Sequence, residues 1–381
     1  MKHKIIVAFK ASHLVKYPEV MDVASSNAKR CIALCAKLPA LGAEACFISS
    51  PANYRYLSGF SGSNAKLLIL KDKKYLFTDF RYIIQAAEQA PEYEIVKENP
   101  GMELAQVYEA LKANGVSSLA FEDAKVSVKA FPEMKDAFPG VELRALGSAV
   151  EQLRMRKYED EVEWLRKAAA MTDEAFAHIL GVIKPGVSEC DIAAEIEYHF
   201  RKRGSRASFE PVAAGGPNSA ICHAQPSLRK LQHGDMVLMD FGCEVEGYLS
   251  DMTRTVSIGR PSDEMKKIYS LVLEAQSAAL AALSAGKKAA DVDAAARGRI
   301  AKAGYGDKFG HSLGHGVGLE IHEDPRLSPV SEDVLDEGMA VTIEPGIYIE
   351  GLGGVRIEDL CIVRKGGYED LTHSPKELIE I

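Results

Sequence analysis

The chain has 381 residues, more than one hydrophobic core usually holds, so we expect two domains. Apolar residues make up 47% and charged residues 26%, as in ordinary globular proteins. The formal net charge of −8 argues against a protein that binds nucleic acid, because no basic excess is available to neutralise phosphates.

The cysteine pattern and the hydropathy indicate a cytoplasmic protein. The seven cysteines are an odd number, are scattered and contain no CxxC pair, which is typical of free thiols in a reducing compartment. The start, MKHKIIVAFK, has an apolar run too short for a signal peptide, and no stretch approaches the length of a membrane span. We therefore expect neither nucleic acid nor membrane as a partner.

Up to about residue 148, the chain alternates segments with strand-like and helix-like patterns. The strand-like segments are 45–50, 65–70, 74–78 and 117–121, and the helix-like segments are 81–90 and 102–114. This alternation predicts a small α/β domain.

A long charged segment, 151–180, follows and has helical periodicity. Four apolar residues form one stripe along it: Val162, Leu165, Ala169 and Phe176. Because the character of the sequence changes here, we place the domain boundary near 148–152. This gives two expected domains, residues 1–150 and 151–381.

The second part contains three more segments with helical signals: 188–204, 262–284 and 291–304. Ser188 and Asp191 form a capping box at the start of the first of these. Apolar hairpins interrupted by glycine lie between and after the helices. The pattern predicts a mixed α+β domain in which helices cover an antiparallel sheet.

Residues 236–258 have the pattern of a β-hairpin that carries two acids. With the turn centred between Val245 and Glu246, Asp240 falls opposite Asp251, and both side chains share one face. Opposed like charges destabilise a sheet unless a cation lies between them or one acid stays protonated. A bulge would shift this register and move an acid to the other face.

Residues 340–363 repeat the arrangement around a glycine-rich turn, with Glu344 opposite Glu358. One explanation is a pair of solvated acidic ladders with local Lys or Arg partners. The other is a metal site, which two such hairpins in one domain favour. Two divalent cations would balance four carboxylates, and bridging carboxylates hold such ions about 3.5–4 Å apart.

The segment GHSLGHGVGLEIHEDP, residues 310–325, lies between the two hairpins and carries His311, His315 and His322. It lacks the glutamate of the HExxH helix motif and is broken by glycines, which indicate extended backbone in close contact with another segment. Spacing alone does not decide which of the three histidines joins the acids.

Four motifs, in this order, resemble those of the pita-bread metallopeptidases: DFGCEVEGYLSDMTRT, GHSLGHGVGLEIHEDP, TIEPGIY and GGVRIED. This family includes prolidase, Xaa-Pro aminopeptidase, methionine aminopeptidase and the metal-free relative creatinase. The first domain resembles the creatinase/prolidase amino-terminal domain through NYRYLSGFSGSNAKLLI and FTDFRYIIQAAEQAP. The resemblance implies an α+β protein, with a pita-bread catalytic domain preceded by a smaller α/β creatinase-type domain.

The resemblance also implies five metal ligands. Asp240 would chelate one metal ion, His315 and Glu344 would hold the other, and Asp251 and Glu358 would bridge both. Creatinase differs at these positions, so the intact set favours a metal-dependent enzyme. The expected cofactor is two divalent ions, Mn or Co first, while Zn or Fe also suits an oxygen-rich shell with one imidazole.

Further histidines take substrate-facing roles by the same resemblance. His223 would contact the substrate near the scissile bond, and His322 would bind the substrate carbonyl and stabilise the tetrahedral intermediate. His311 would form a wall of the proline pocket, and Tyr348 and Arg356 would support the metals.

Glu344 is the expected general base for amide hydrolysis, so His223, His322 and Glu344 form the expected catalytic group. One departure from the family pattern is Cys222, which stands before His223 where many relatives have proline. This difference removes no catalytic group.

Within the family, an amino-terminal domain marks the Xaa-Pro peptidase branch, which acts on short proline-containing peptides and usually forms homodimers. Whether the chain is a dipeptidase or an aminopeptidase stays open. The alternatives are a metal-independent creatinase-like hydrolase, which a chelator would distinguish, and a catalytically silent interaction module on the same fold. Cleavage of the peptide Met-Ala-Ser would identify a methionine aminopeptidase.

Overall fold

The structure is a computed structural model that describes residues 23–381. The amino-terminal stretch 1–10, on which the expectation about a signal peptide rests, lies outside the described residues. Within residues 23–381, no helix combines the length and the apolar character needed to cross a membrane.

The α-helices of the described chain are α1 (Val23–Cys35), α2 (Pro51–Ser58), α3 (Ile83–Gln89), α4 (Glu103–Ala113), α5 (Ala130–Ala137), α6 (Ala149–Met155), α7 (Glu159–Ile179), α8 (Glu189–Lys202), α9 (Asp263–Ala282) and α10 (Ala289–Lys302). Short 3₁₀ segments cover Leu38–Leu41, Gly216–Ala220 and Gly306–Lys308.

The strands of the first half are β1 (Ala45–Ile48), β2 (Lys66–Leu70), β3 (Lys74–Thr78), β4 (Glu94–Lys97), β5 (Ser118–Phe121) and β6 (Glu142–Ala145). Those of the second half are β7 (Arg206–Ala207), β8 (Val212–Gly215), β9 (Met236–Phe241), β10 (Cys243–Val245), β11 (Tyr248–Leu249), β12 (Met252–Ser257), β13 (Gly314–Gly316), β14 (Glu323–Leu327), β15 (Ala340–Ile343), β16 (Gly346–Ile349), β17 (Gly353–Arg356), β18 (Asp359–Arg364) and β19 (Gly367–Asp370).

The first six strands form one mixed sheet in the order β4-β3-β2-β1-β5-β6. Its central strand β1 is apolar throughout because it is covered on both faces. Phe47 joins a core cluster that includes Leu111 of α4, whereas Ile48 faces the opposite side and joins a cluster that includes Leu57 of α2. Helices on both faces of a sheet make this part an α/β unit, as predicted.

The predicted strands 45–50, 65–70, 74–78 and 117–121 correspond to β1, β2, β3 and β5, and the predicted helices correspond to α3 and α4. The edge strands β4 and β6 were missed. Their sequences, EIVK and ELRA, are half polar and partly exposed, so they lack the longer apolar run by which a covered strand is recognised.

The predicted single helix 151–180 is two helices, α6 and α7, because the backbone becomes extended at Arg156 and forms a β-bridge with Met339. Ala149 and Val150 of α6 pack into the amino-terminal core. The stripe predicted along α7, which contains Val162 and Phe176, is buried.

The second half packs its helices against antiparallel sheets. Helices α7 and α8 cover the sheet β8-β9-β12, and α9 and α10 cover the five-stranded sheet β14-β13-β15-β18-β19. The capping box of Ser188 and Asp191 is present at the start of α8. Helix α10 begins at Ala289, two residues before the predicted Asp291, and has no side-chain cap. The mixed α+β prediction is confirmed.

A buried ion cluster joins the two halves of the chain. Arg154, at the end of α6, contacts Glu323, donates to Glu320 over 2.8 Å and donates to Asn53 of α2 over 2.8 Å. Lys157 donates to Glu323 over 2.9 Å. Burial opposes ionisation, but the charges of Lys157 and Arg154 outweigh it and lower the pKa of Glu323 to about 2.

We expect Glu323→Gln to lower the free energy of unfolding at pH 7 by about 3 kcal/mol, because it leaves two buried cations short of a partner. Since the pKa of Glu323 is lower in the folded than in the unfolded state, its contribution exists above about pH 4.5 and is lost as the pH falls toward 2. Urea unfolding of both proteins at pH 7 and near pH 3 should therefore show a gap that narrows with acid.

Glu320→Gln is the matched control, because the Glu320 side chain contacts the same Arg154 but is 41% exposed. An exposed partner of this kind contributes less than about 1 kcal/mol. Equal losses in the two variants would contradict a special role for the buried carboxylate.

Candidate metal centre and active-site cavity

The first acid-bearing hairpin is built from β9, β10, β11 and β12, and its predicted register was wrong. Asp240 pairs with Thr253, and the turn lies at Glu246–Gly247, one residue later than predicted. Both turn residues have positive φ, 50° and 83°, which is the geometry of a tight two-residue hairpin. Asp251 is therefore diagonal to Asp240 rather than opposite, and because the shift is two residues it stays on the same face.

The second hairpin has the predicted register. Ile343 pairs with Asp359 on one side of the acids and Gly346 pairs with Arg356 on the other, so Glu344 and Glu358 face each other between two continuous ladders. Neither strand carries a bulge there that would move one acid to the opposite face.

Strand β13 of the histidine segment places His315 beside these acids. A Cβ at Gly314 would lie 1.9 Å from the carbonyl oxygen of Thr342, so glycine is required for this close approach. The Nδ1 of His315 lies 3.0 Å from the carbonyl oxygen of Gly316. Its Nε2 consequently points at the acids, which is how second contacts orient a metal-binding histidine.

The acids and His315 are close enough to share a cation. His315 Nε2 lies 3.6 Å from Asp251 Oδ2 and 3.5 Å from Glu344 Oε1. Ligand atoms of Asp251, His315 and Glu358 all lie within 4.8 Å of one another. Asp251 and Glu358 are only 5% and 1% exposed, so these charges have little help from solvent.

The electrostatics of the acids favour binding of cations. Burial, followed by repulsion from Glu358, raises the pKa of Asp251 and of Glu344. Burial and the charge of Asp240 raise the pKa of Glu358 to about 8. Asp240 Oδ1 is buried and has no hydrogen-bond partner within residues 23–381. Divalent cations would satisfy this oxygen and remove the repulsion, so the donor set fits the expected metals.

Arg356 organises the Asp240 side of the cluster. It donates to Asp240 Oδ2 over 2.6 Å, to the Tyr348 hydroxyl over 2.7 Å and to Thr253 over 2.9 Å. Thr253 in turn donates to Glu358 over 2.6 Å. The Tyr348 hydroxyl also lies 3.0 Å from His311 Nε2, so the support pair and His311 form one chain of contacts.

A cavity of about 410 Å³ opens onto the cluster. Its walls include nine of the ten residues singled out in the sequence: His223, Asp240, Asp251, His311, His315, His322, Glu344, Arg356 and Glu358. The tenth, Tyr348, lies behind the wall against Arg356. The structure thus brings together side chains from both hairpins, the histidine segment and the loop before β9.

The cavity residues that sequence reasoning missed include Phe209, Glu210 and Arg326. Phe209 and Glu210 precede β8, and Val212 of β8 pairs with Asp240 of β9. The sequence alone does not indicate that these two strands pair. Arg326 pairs with His315 across β13 and β14. The sequence signal that could have found Arg326 was its position only eleven residues after His315.

The fold and the acid-lined cavity define a hydrolase of the metallopeptidase type. Residues 163–365 match metallopeptidase family M24, and residues 30–156 match the creatinase/prolidase N-terminal domain. The chain belongs to metallopeptidase family M24. The predicted family, its pita-bread fold and the metallopeptidase class are confirmed, and membership implies divalent metal ions.

Among curated relatives, an uncharacterized peptidase, YqhT, of Bacillus subtilis is 42% identical over 89% of this chain and 96% of its own length. An Xaa-Pro dipeptidase of Pyrococcus furiosus is 36% identical over 87% and 94%. Among solved structures, an Xaa-Pro dipeptidase from Bacillus anthracis aligns with a TM-score of 0.90 at 42% identity, covering 93% of this chain and 100% of that one. An X-Pro aminopeptidase from Thermotoga maritima aligns with a TM-score of 0.86 at 36% identity, covering 90% and 99%.

Proposed function

We propose that this protein is a two-metal Xaa-Pro peptidase that hydrolyses the bond between an amino-terminal residue and proline. The observation that carries the proposal is the meeting of four carboxylates and one imidazole at the floor of one cavity. The names of the relatives, Xaa-Pro dipeptidase and X-Pro aminopeptidase, support the proline specificity. An intact acid cluster disfavours a metal-independent hydrolase and a catalytically silent interaction module.

Five residues would hold the two divalent ions: Asp240, Asp251, His315, Glu344 and Glu358. An oxygen-rich set with one imidazole suits manganese or cobalt, and zinc or iron also fit. When bound, the cations supply Lewis acidity, which eases loss of a proton from water near neutral pH and polarises the substrate carbonyl.

Glu344 is the proposed proton acceptor. Its carboxylate lines the cavity, and its Oε1 lies 3.4 Å from the Thr342 hydroxyl and 3.5 Å from His315 Nε2. Both contacts are long, so its oxygens stay available toward the substrate. A carboxylate in this position would take the proton from water and pass it to the leaving nitrogen.

His322 and His223 are the proposed hydrogen-bond donors to the substrate. Burial, followed by the charge of Arg326, lowers the pKa of His322, so its imidazole is neutral at pH 7 and offers one N–H. Both side chains line the cavity, where an N–H can stabilise the charge that develops on the carbonyl oxygen.

His311 would form the wall of the proline pocket. Burial and the charge of Arg356 lower the pKa of His311 to about 4, which keeps this ring neutral. Its contact with Tyr348 fixes the ring edge, and Phe309 packs against it with ring centroids 5.0 Å apart. A neutral, rigid aromatic wall suits an apolar proline ring.

Arg326 favours dipeptides over longer peptides. It lies exposed on the cavity wall, and the structure shows no ion pair or hydrogen bond of its guanidinium within residues 23–381. A carboxylate directly after proline would supply that partner.

We expect kcat/KM for Ala-Pro to exceed that for its amide, Ala-Pro-NH₂, by about tenfold, because the amide lacks the carboxylate charge. Arg326→Gln should equalise the two. Ala-Pro-Ala, measured in parallel, reports whether the cavity accepts a longer chain. Equal cleavage of acid and amide by the unaltered enzyme would overturn the dipeptide preference.

Three wider features belong to the same proposal. The division into domains at 150/151 rests on the change of sequence character there. A homodimer rests on the resemblance to the Xaa-Pro peptidase branch, and light scattering on the purified chain tests it. A cytoplasmic location rests on the free thiols.

A further inference from the structure

The cavity wall carries two exposed charges for which the structure shows no partner within the described residues, Glu210 and Arg326. The other charged side chains of the cavity are tied to one another. Asp240 is held by Arg356, while Asp251 and Glu344 face His315. Because two divalent ions would balance the four metal-binding acids, Glu210 is left as the free negative charge of the loaded cavity.

Glu210 also has a fixed place relative to the reaction centre. It follows Phe209 and precedes Pro211 and Val212, and Val212 pairs directly with the metal-binding Asp240. Glu210 is exposed and lines the cavity, so its carboxylate lies at the solvent-facing rim, where we place the side chain of the residue before proline. From this position the carboxylate would meet a substrate side chain rather than the reacting atoms.

We propose that Glu210 is a specificity-determining residue, which favours substrates with a cationic side chain, Lys or Arg, in the residue before proline. This inference rests on the proposed Xaa-Pro peptidase activity. Charge attraction at a partly solvated rim changes the selectivity without new packing, and an acidic residue before proline would be repelled by the same charge.

The test compares Lys-Pro, norleucine-Pro and Glu-Pro, in which the first side chains have similar reach and different charge. For the manganese-loaded enzyme we expect kcat/KM for Lys-Pro to exceed that for Glu-Pro by about tenfold or more at low salt. Glu210→Gln should shrink this ratio about tenfold, and Glu210→Lys should reverse it. Raising the salt to about 0.5 M should shrink the ratio in the unaltered enzyme, since the Debye length falls below about 5 Å.

Glu246→Gln is the matched control, because it removes the same charge from an exposed turn outside the cavity wall. It should leave the ratio unchanged. A uniform loss on all three dipeptides in Glu210→Gln would mean that Glu210 binds the amino terminus or only supports the loop, and either result would overturn the inference. Absence of a Lys-Pro preference would overturn it too. Failure to cleave Ala-Pro under any metal would instead remove the proposed function.

Discussion

Replacing Glu344 by glutamine is expected to lower kcat/KM for Ala-Pro by about a thousandfold or more in a protein that still folds. The change removes the proposed proton acceptor, which by itself is worth about 10²–10⁴-fold, and it removes one proposed anionic metal ligand. Glutamine keeps the volume of the side chain, so the packing between the two hairpin ladders is preserved.

The same substitution should not destabilise the metal-free protein. Burial and repulsion from Glu358 raise the pKa of Glu344, which means that the fold without cations resists the charge of this carboxylate. Loss of the charge therefore relieves repulsion rather than leaving a cation unpaired. Thermal unfolding of the chelated proteins should place the variant at or above the melting temperature of the unaltered chain.

Glu350→Gln serves as the control for the loss of one charge in the same hairpin, since Glu350 is exposed and does not line the cavity. It should keep full activity. Activity of Glu344→Gln within about tenfold of the unaltered enzyme would contradict both of the roles given to Glu344.

Removal of divalent metal is expected to abolish peptidase activity and to lower the melting temperature by about 10 °C. The activity is lost because the histidines and Glu344 supply hydrogen bonds and a proton acceptor but no strong Lewis acid. The stability is lost because cations bind only the folded cluster, and each ion at a thousand times its dissociation constant contributes about 4 kcal/mol.

Differential scanning calorimetry of chelated and manganese-reloaded protein checks this prediction, with elemental analysis of both samples. The Glu344→Gln protein is the matched comparison, because it lacks one ligand and should gain less on reloading. Equal melting temperatures and equal activity with and without metal would mean that the acids do not form a functional cation site.

The two hairpins show what sequence could and could not predict about the site. The second hairpin has one uninterrupted register across Glu344 and Glu358, so counting from its glycine-rich turn was sufficient. In the first hairpin, the turn lies at Glu246–Gly247 because both residues take the left-handed conformation. A turn shifted by one residue moves each pairing partner by two residues. Because side chains alternate between the two faces of a strand, a shift of two leaves Asp251 on the same face as Asp240.

The choice of His315 among three histidines depended on the family resemblance. The physical cause is visible in the structure: Gly314 allows β13 to touch β15 at Thr342, which places His315 over the acids. His311 and His322 flank the same cavity. No spacing rule for a histidine segment contains these tertiary contacts, so sequence reasoning left the three equivalent.

The residues that sequence missed share a cause as well. Glu210 reaches the cavity because β8 pairs with β9, which joins a segment far from the acid motifs to Asp240. Arg326 reaches it because β13 pairs with β14, and the register of that pairing is irregular. The edge strands β4 and β6, half polar and partly exposed, were missed because they lack a longer apolar run. In contrast, the covered strands β1, β2, β3 and β5 carry apolar runs, and these were predicted.

A manganese titration of metal-free protein, monitored by the rate of Ala-Pro hydrolysis with Ala-Ala measured in parallel, tests whether the acid cluster is a two-metal Xaa-Pro site. We expect no hydrolysis without metal, a rate on Ala-Pro that rises until two ions are bound per chain, and little cleavage of Ala-Ala. Hydrolysis of Ala-Pro at full rate by protein shown to be metal-free, or equal rates on both dipeptides, would contradict this expectation.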